Sequence, residues 1–460
     1  MNRRTFLAST ASLAAGALAS CAAAQNPPAT TKPATTQASS KPSTTKAATT
    51  QANGKPNLAV IGCGGIARWH GQYLNKHVNV VALSDLDRSH LDSYNNDICG
   101  GKAFITEDYR KVLERKDIDL ILCTTPDHWH TKITADALRA GKDVYCEKPL
   151  TLTIGEQRWL MDIVRKSGRV LQVGSQQRSE NQFNTAVAIA RSGRLGKIRH
   201  VTVVIGPTDM ADPKEFVETD PPAGLNWDMW LGQAPKVPYM KRRCHFDYRW
   251  WYDYSGGRMT DWGAHHVDTA QAAVAADLPG VMTVEPANVE FPVPYDGHGY
   301  PTTQSFYNTA IKFEVTCRFA NGVEMLIADH VERFPADNGI MIMGDAGSIF
   351  VNREKWFGPA FDQLKDDPLP AGMLTLNPPG SSPIPHENHF INFIDCVKSR
   401  ALPHSDIYEN FKTLTTCHLA NIAMRLGRPL RWDASAQQIV GDAEANGFQS
   451  RPQRKGYEVV

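Results

Sequence analysis

From Asn57 onward, short and wholly apolar runs alternate with longer amphipathic stretches, and this alternation narrows the possible folds more than any other feature. The runs are Leu58–Ile61, Val78–Leu83, Leu120–Cys123, Val144–Cys146 and Val170–Val173, with helical spacing at Trp69–Lys76, His130–Ala140 and Gly155–Lys166. Strands apolar on both faces and separated by helices require a parallel sheet with helices on either side. After Arg178 the period changes. Ile311, Phe313, Val315, Cys317 and Phe319 fall on alternate positions, Ala320-Asn321-Gly322 supplies a tight turn, and Val323–Ala328 returns. Ile340–Gly344 and Ile349–Val351 repeat the pattern across Asp345-Ala346-Gly347. The expectation is an α/β chain whose second domain is α+β with an open, mostly antiparallel sheet, closed by helices near His389–Arg400 and Tyr408–Leu426.

The residues before Asn57 do not join this pattern. Arg3-Arg4-x-Phe6-Leu7, an Ala-rich stretch and small residues up to Ser20 resemble an export signal of the twin-arginine type over residues 1–21. Leu18-Ala19-Ser20-Cys21 resembles a lipobox, with lipid on Cys21, and simple cleavage near Ala22-Ala23-Ala24 is the alternative. Residues 22–56 are dominated by Thr, Ala, Pro, Ser, Lys and Gln and read as a disordered tether. The expected location is therefore periplasmic or envelope-anchored, with membrane contact only through Cys21.

Lys plus Arg (49) nearly balance Asp plus Glu (48), so there is no basic field for nucleic acid. No apolar run reaches the roughly 20 residues of a membrane span. The nine cysteines include no C-x-x-C pair, which argues against a zinc knuckle. Cys63, Cys123 and Cys146 fall on or beside expected core strands and read as reduced apolar residues.

Gly62-Cys63-Gly64-Gly65-Ile66-Ala67 follows the first strand directly and opens a helix. In this G-x-G-x-x-A form Gly62 permits the tight turn, Gly64 lets backbone approach a pyrophosphate, and Ala67 allows close helix–strand packing. Asp85 ends the second strand, placed to accept bonds from an adenosine ribose; its charge repels a 2′-phosphate, so NAD is favoured over NADP, with Arg88 nearby as the counterweight. Residues 57–177 are thus expected to be a Rossmann dinucleotide-binding domain, 178–433 the substrate domain and 434–460 a tail. Thr125, Pro126, His128 and His130 leave the fourth strand at the edge where such sheets bind ligands. Gln176 and Arg178 follow the last strand at the seam between domains, which makes Gln176 a candidate to meet the cofactor and Arg178 the substrate.

The fifth strand ends in Cys146-Glu147-Lys148-Pro149. Glu-Lys-Pro in this place, with the glycine turn and the T-P-x-x-x-H segment Thr125–His130, resembles the Gfo/Idh/MocA oxidoreductase family over residues 57–433. The resemblance implies action on sugars or polyols, Lys148 at the hydride-transfer site beside Glu147, a Pro149 that is often cis, and dimers or tetramers. It also matches Asp261-x-x-x-His265, two residues that share a face of a helix. Carried over, His265 is the general base, Asp261 orients the imidazole or binds a sugar hydroxyl, and Lys148 stabilises the developing alkoxide. Arg249 and Trp251 are further substrate candidates from a Trp-rich stretch. A metal held by His265, His266 and Asp268 is not expected, because neighbouring helical histidines diverge.

Export implies a cofactor carried across in the folded protein and regenerated in place, by a second substrate or within a redox-neutral cycle. An NAD-dependent glycosidase is therefore an alternative to the oxidoreductase, although that group's Gly-rich Tyr-Pro-Thr-His signature is absent. A non-catalytic sugar-binding protein is the second alternative.

Overall fold

The computed structural model describes residues 54–459 apart from 371, 374–376 and 378–380. The expected signal, Cys21 and nearly all of the expected tether lie outside the described residues. Six strands form the first sheet: β1 (Asn57–Ile61), β2 (Asn79–Ser84), β3 (Phe104–Thr106), β4 (Leu120–Cys123), β5 (Asp143–Cys146) and β6 (Leu171–Val173). They are all parallel, in the order β3-β2-β1-β4-β5-β6. The three-residue β3 is partly exposed at the edge, so it carries no apolar run to betray it.

Helices α1 (Gly65–His77), α2 (Arg88–Cys99), α3 (Tyr109–Glu114), α4 (Asp127–Arg139) and α5 (Ile154–Ser167) connect these strands. Asp87, Asp108 and Thr153 cap α2, α3 and α5 by accepting an early helical N–H. Because the sheet is buried on both faces, alternate residues of each strand enter opposite cores. Ala59, Ile61, Ile121 and Val144 pack with α3, α4 and α5, whereas Leu58, Val60, Leu120 and Leu122 face α1 and α2.

The second sheet has nine strands, and its chain order begins after α6 (Asn181–Arg191) with β7 (Ile198–Val204). A two-residue ladder, β8 (Glu218–Thr219) with β9 (Tyr239–Met240), flanks the short α7 (Trp227–Leu231), and α8 (Arg258–Asp261) and α9 (Gly263–Val274) follow. Then come β10 (Val281–Glu290), β11 (Lys312–Phe319), β12 (Glu324–Ala328), β13 (Gly339–Gly344), β14 (Gly347–Val351) and β15 (Trp356–Phe357). After α10 (Pro359–Asp362), α11 (Pro385–Ser399) and α12 (Ile407–Leu426), β16 (Leu430–Asp433) and β17 (Gln438–Ile439) complete the sheet. Its order is β15-β14-β13-β7-β12-β11-β10-β16-β17, antiparallel throughout except for β7 beside β12. Apolar residues of α6, α9 and α12 pack in one core with the sheet. Among the described residues no helix is long and apolar enough to cross a membrane.

Two expectations about domain limits need correction. Helix α11 does not close the second domain: Phe390, Phe393, Ile394 and Val397 pack onto Leu120, Leu122 and Tyr145 of the first sheet. Helix α11 thus extends the cover that α1 and α2 begin on this face across β4 and β5, because a parallel sheet must be covered there too. Nor is 434–460 a loose tail. After β17, Ala445 and Val459 are buried, and Arg451 reaches back to Glu156 on α5.

Candidate active site

A cavity of about 390 Å³ lies along the carboxyl ends of β1, β2, β4 and β5. Its floor is the glycine turn. The Gly62 N–H donates to Ser84 O at 2.8 Å. Gly62 adopts φ +91°, and a Cβ there would stand 2.7 Å from the carbonyl carbon and oxygen of Thr124 and from the amide nitrogen of Thr125. Helix α1 then begins without a side-chain cap or an acid in its first turn, so its leading N–H groups are left for a ligand. Gly64 and Gly65 line the cavity beside them. Asp85 also lines it and accepts from the Asp87 and Cys63 amides, the former at 2.8 Å. Burial raises its carboxyl despite those bonds. Arg88, the one feature that argued for a 2′-phosphate, is turned to Asp92 at 2.8 Å. Uncapped helix amides, an approachable backbone and an acid at the strand end fit a dinucleotide with an unmodified ribose.

The opposite wall comes from the second domain. Met229 and Trp230 of α7 line it, as do His245, Phe246, Tyr248 and Arg249 from the 3₁₀ turn His245–Trp250. Backbone bonds tie this cover to the loop after β2, from Arg88 N to Gly224 O and from Asn226 N to Leu86 O, each 3.0 Å. The Tyr248 hydroxyl donates to Asp127 at 2.7 Å.

At the cavity wall the two domains meet through charge. Lys148, which precedes a cis peptide to Pro149, donates to the Asp261 carboxylate and at 3.3 Å to the Asp261 carbonyl. Arg249 and Arg258 stand 3.6 and 3.8 Å from the same carboxylate. Burial alone would raise the Asp261 carboxyl, but Lys148 and Arg249 outweigh it and hold the group well below the usual carboxylate range. His265 is 5% exposed, and its Nδ1 has no hydrogen-bond partner among the described residues. Burial first, then the charges of Lys148 and Arg353, push its imidazole well below the ordinary histidine range. Glu147 anchors the lysine turn: it accepts from His70 at 2.8 Å and Gln176 at 2.9 Å, in space left by Gly174.

Residues 57–175 match the family model described as the oxidoreductase family's NAD-binding Rossmann fold, and residues 211–459 match that family's C-terminal alpha/beta domain. The chain belongs to the Gfo/Idh/MocA oxidoreductase family. Among its curated relatives, the uncharacterized oxidoreductase YrbE of Bacillus subtilis is 32% identical over 183 residues, 39% of this chain and 52% of that protein. Inositol 2-dehydrogenase of Agrobacterium fabrum is 31% identical over 143 residues, 30% of this chain and 42% of that one. The chain thus spans about half, or less, of the length of these relatives. Among solved structures, aldose-aldose oxidoreductase from Caulobacter crescentus, complexed with glycerol, superposes with a TM-score of 0.58 at 18% identity, over 82% of this chain and 99% of that one. The WlbA dehydrogenase from Bordetella pertussis, in complex with NADH and UDP-GlcNAcA, gives the same four figures. The shared feature at this identity is the fold.

Within the family frame, the structure gathers most of the expected cofactor residues. Gly62, Gly64, Gly65, Ile66, Asp85, Thr125, Pro126, His130, Glu147 and Lys148 all line the cavity. Ala67 lies behind it, fully buried against the sheet. His130 is a clasp, with Nδ1 2.7 Å from Pro149 O and Nε2 2.8 Å from Thr125 O, so it joins the loops after β4 and β5.

Other expectations are corrected. His128 is fully buried, with Nε2 2.8 Å from Trp230 O, and joins α4 to the cover instead of facing the cavity. Gln176 sits behind Glu147. Arg178 is held by Asp268 through two bonds of 2.6 and 2.7 Å, because a buried guanidinium is stabilised by a carboxylate that accepts from it twice. Trp251 is fully buried, its indole donating to Arg242 O at 2.8 Å beneath the Arg243 guanidinium; it is core and offers no face to a sugar. Asp261 and His265 fall in separate helices that break at Trp262, and Asp261 pairs with Lys148 and makes no hydrogen bond to His265. His266 faces Gln177 and Asn338, and Asp268 faces Arg178, so these side chains do not converge with His265. The Trp-dense stretch Asn226–Gly232 reads from sequence as either a sugar-stacking surface or core, and its Met229 and Trp230 line the cavity. His245 and Phe246 escape the sequence, since no short motif marks a wall built from distant loops.

Burial holds several imidazoles down, His128 to about 3, and His266, His389 and His418 to about 4. On unfolding they return to about 6.5, so below that pH the unfolded chain binds protons that the folded chain does not. Their contribution is complete above about pH 6.5 and is lost as pH falls toward the folded values, by about 2 kcal/mol each near pH 5. The thermal unfolding midpoint is expected to fall steeply between those pH values. A flat midpoint would show that these histidines are not held neutral.

Proposed function

We propose that the protein is an NAD-dependent oxidoreductase acting on a CH–OH group of a sugar or polyol, with a cofactor that stays bound between turnovers. The observation that carries this reading is the meeting of Lys148 from the first domain with Asp261 from the second at the wall of the cavity above the glycine turn, beside a neutral His265. The relatives named for inositol and for aldoses support the substrate class.

NAD, when bound, supplies the hydride acceptor. The glycine turn and the amino end of α1 would hold its pyrophosphate and Asp85 its ribose, with Thr125 and His130 shaping the wall between. His265 accepts the substrate hydroxyl proton; Nδ1 is buried, which leaves Nε2 to meet a substrate. Lys148 donates to the oxygen as charge develops there, and Asp261 fixes the direction of the ammonium. Arg249, held between Asp261 and the Phe246 and Tyr248 rings, borders the same space. The Arg3-Arg4 start and Cys21 support export and lipid anchoring of the loaded protein, and the family resemblance supports a dimer or tetramer.

The test begins with protein expressed with its own amino terminus, denatured, and its released nucleotide identified by mass spectrometry. Stoichiometric NAD(H) is expected, followed by sugar-dependent changes in nicotinamide absorbance across a panel of aldoses and polyols. Release of an aryl leaving group from a glycoside with no net absorbance change would replace this reading with the redox-neutral glycosidase. An empty protein that answers to no sugar would remove it.

A further inference from the structure

We infer that the carboxyl-terminal segment Arg451–Val459 is a latch that holds the α7 cover closed over the cofactor cavity, with Arg454 and Tyr457 as its positioning residues. The inference rests on the reading of that cavity as a dinucleotide site. Helix α7 is short, and a helix of five residues has too few internal bonds to hold itself in place. Two of its residues, Met229 and Trp230, form the cavity wall. From the inner side it is held by α4, whose His128 and Trp129 both approach Trp230 O, at 2.8 and 3.1 Å.

Within the cover, the Trp227 indole donates to Val237 O at 2.9 Å and Lys236 stands 3.7 Å from the Asp228 carboxylate; further polar hold comes from the segment after Ser450. The Arg454 guanidinium donates to the Asp228 carboxylate at 2.6 Å, to the Asp228 carbonyl, and to Gly232 O at 2.9 Å. Its backbone N–H donates to Gln233 O at 3.0 Å. One residue thereby satisfies the Gly232 and Gln233 carbonyls just past the end of α7 and adds a second donor to the Asp228 carbonyl, which also accepts from the Gly232 amide. The Tyr457 hydroxyl adds a bond to the other Asp228 oxygen at 3.0 Å, and its ring lies edge-on to Trp129, centroids 6.0 Å apart.

The other end of the segment is fixed to the body of the protein. Arg451 donates to Glu156 on α5 at 3.0 Å, and Val459 is buried. A nucleotide leaving the cavity past α7 must therefore displace a cover pinned from outside by Arg454. The guanidinium reaches three acceptors at once, a geometry that a lysine ammonium on a single flexible stem does not reproduce.

The experiment uses the full chain loaded with reduced dinucleotide, diluted into excess NAD, with release followed by nicotinamide fluorescence. Arg454→Ala is expected to release nucleotide about tenfold faster or more, the loss of charge-assisted bonds of modest net strength. Tyr457→Phe, which removes only one hydroxyl and spares the fold, is expected to act in the same direction with a smaller effect. Arg454→Lys should restore little. The thermal midpoint of the nucleotide-free protein is measured beside it. Unchanged release in both Arg454→Ala and Tyr457→Phe overturns the latch while leaving the cofactor site intact, and so does faster release matched by a general loss of stability in Tyr457→Phe. A parent protein that holds no dinucleotide overturns the reading of the cavity itself, and the latch with it.

Discussion

His265→Asn is expected to lower turnover by about a thousandfold while leaving the bound nucleotide in place, within the range that general bases contribute. Asparagine keeps much of the volume of the ring and removes the basic nitrogen. Because His265 does not line the dinucleotide cavity, nucleotide content by mass spectrometry should match the parent. Lys148→Met is expected to cost a similar factor, and the double variant little more than either single one, since the two act on one proton and one oxygen. The acid limb of kcat/KM offers a second check. Burial and the Lys148 and Arg353 charges hold the imidazole well below its ordinary value, so His265 stays competent as a base below pH 6.5. Turnover within tenfold of the parent in His265→Asn would remove the histidine from the mechanism.

Gly62→Val is expected to abolish cofactor retention, with affinity lowered at least about a hundredfold. The residue holds φ +91°, a conformation that costs a branched side chain about 1–3 kcal/mol. The new Cβ would also meet three backbone atoms of Thr124 and Thr125 at 2.7 Å, and backbone cannot rotate away as a side chain can. The turn must shift, and with it the amino end of α1. Gly168→Ala is the matched control, because Gly168 also has a positive φ, +62°, its Cβ would meet nothing within 4 Å, and it does not line the cavity. Nucleotide content of the two variants is the measurement, with circular dichroism to show that both fold. Stoichiometric nucleotide in Gly62→Val would mean that the turn is not the cofactor floor.

Much of the architecture was legible because burial leaves a local record. A strand apolar on both faces, such as Leu120–Cys123, reports a covered parallel sheet, and Ile311–Phe319 reports a sheet wet on one side. Gly62 was legible because one backbone angle restricts its residue type, and Lys148, Asp261 and His265 because the family resemblance reached them through short motifs. Arg178, His128 and Trp251 misled for a common reason. Each is polar or aromatic beside a motif, and its role depends on a partner far along the chain: Asp268 for Arg178, Trp230 for His128 and Arg243 for Trp251.

The sequence by itself determined the two kinds of sheet and the glycine turn with its strand-end acid, since each follows from local periodicity or backbone geometry. Only the tertiary structure decided that α11 covers the first sheet, that Asp261 pairs with Lys148 instead of His265, and that α7 walls the cavity under a strap from the carboxyl terminus. These outcomes are pairings between residues that can lie more than two hundred positions apart, as Arg454 and Asp228 do. Burial selects such partners only once both surfaces exist, and no local pattern records the choice.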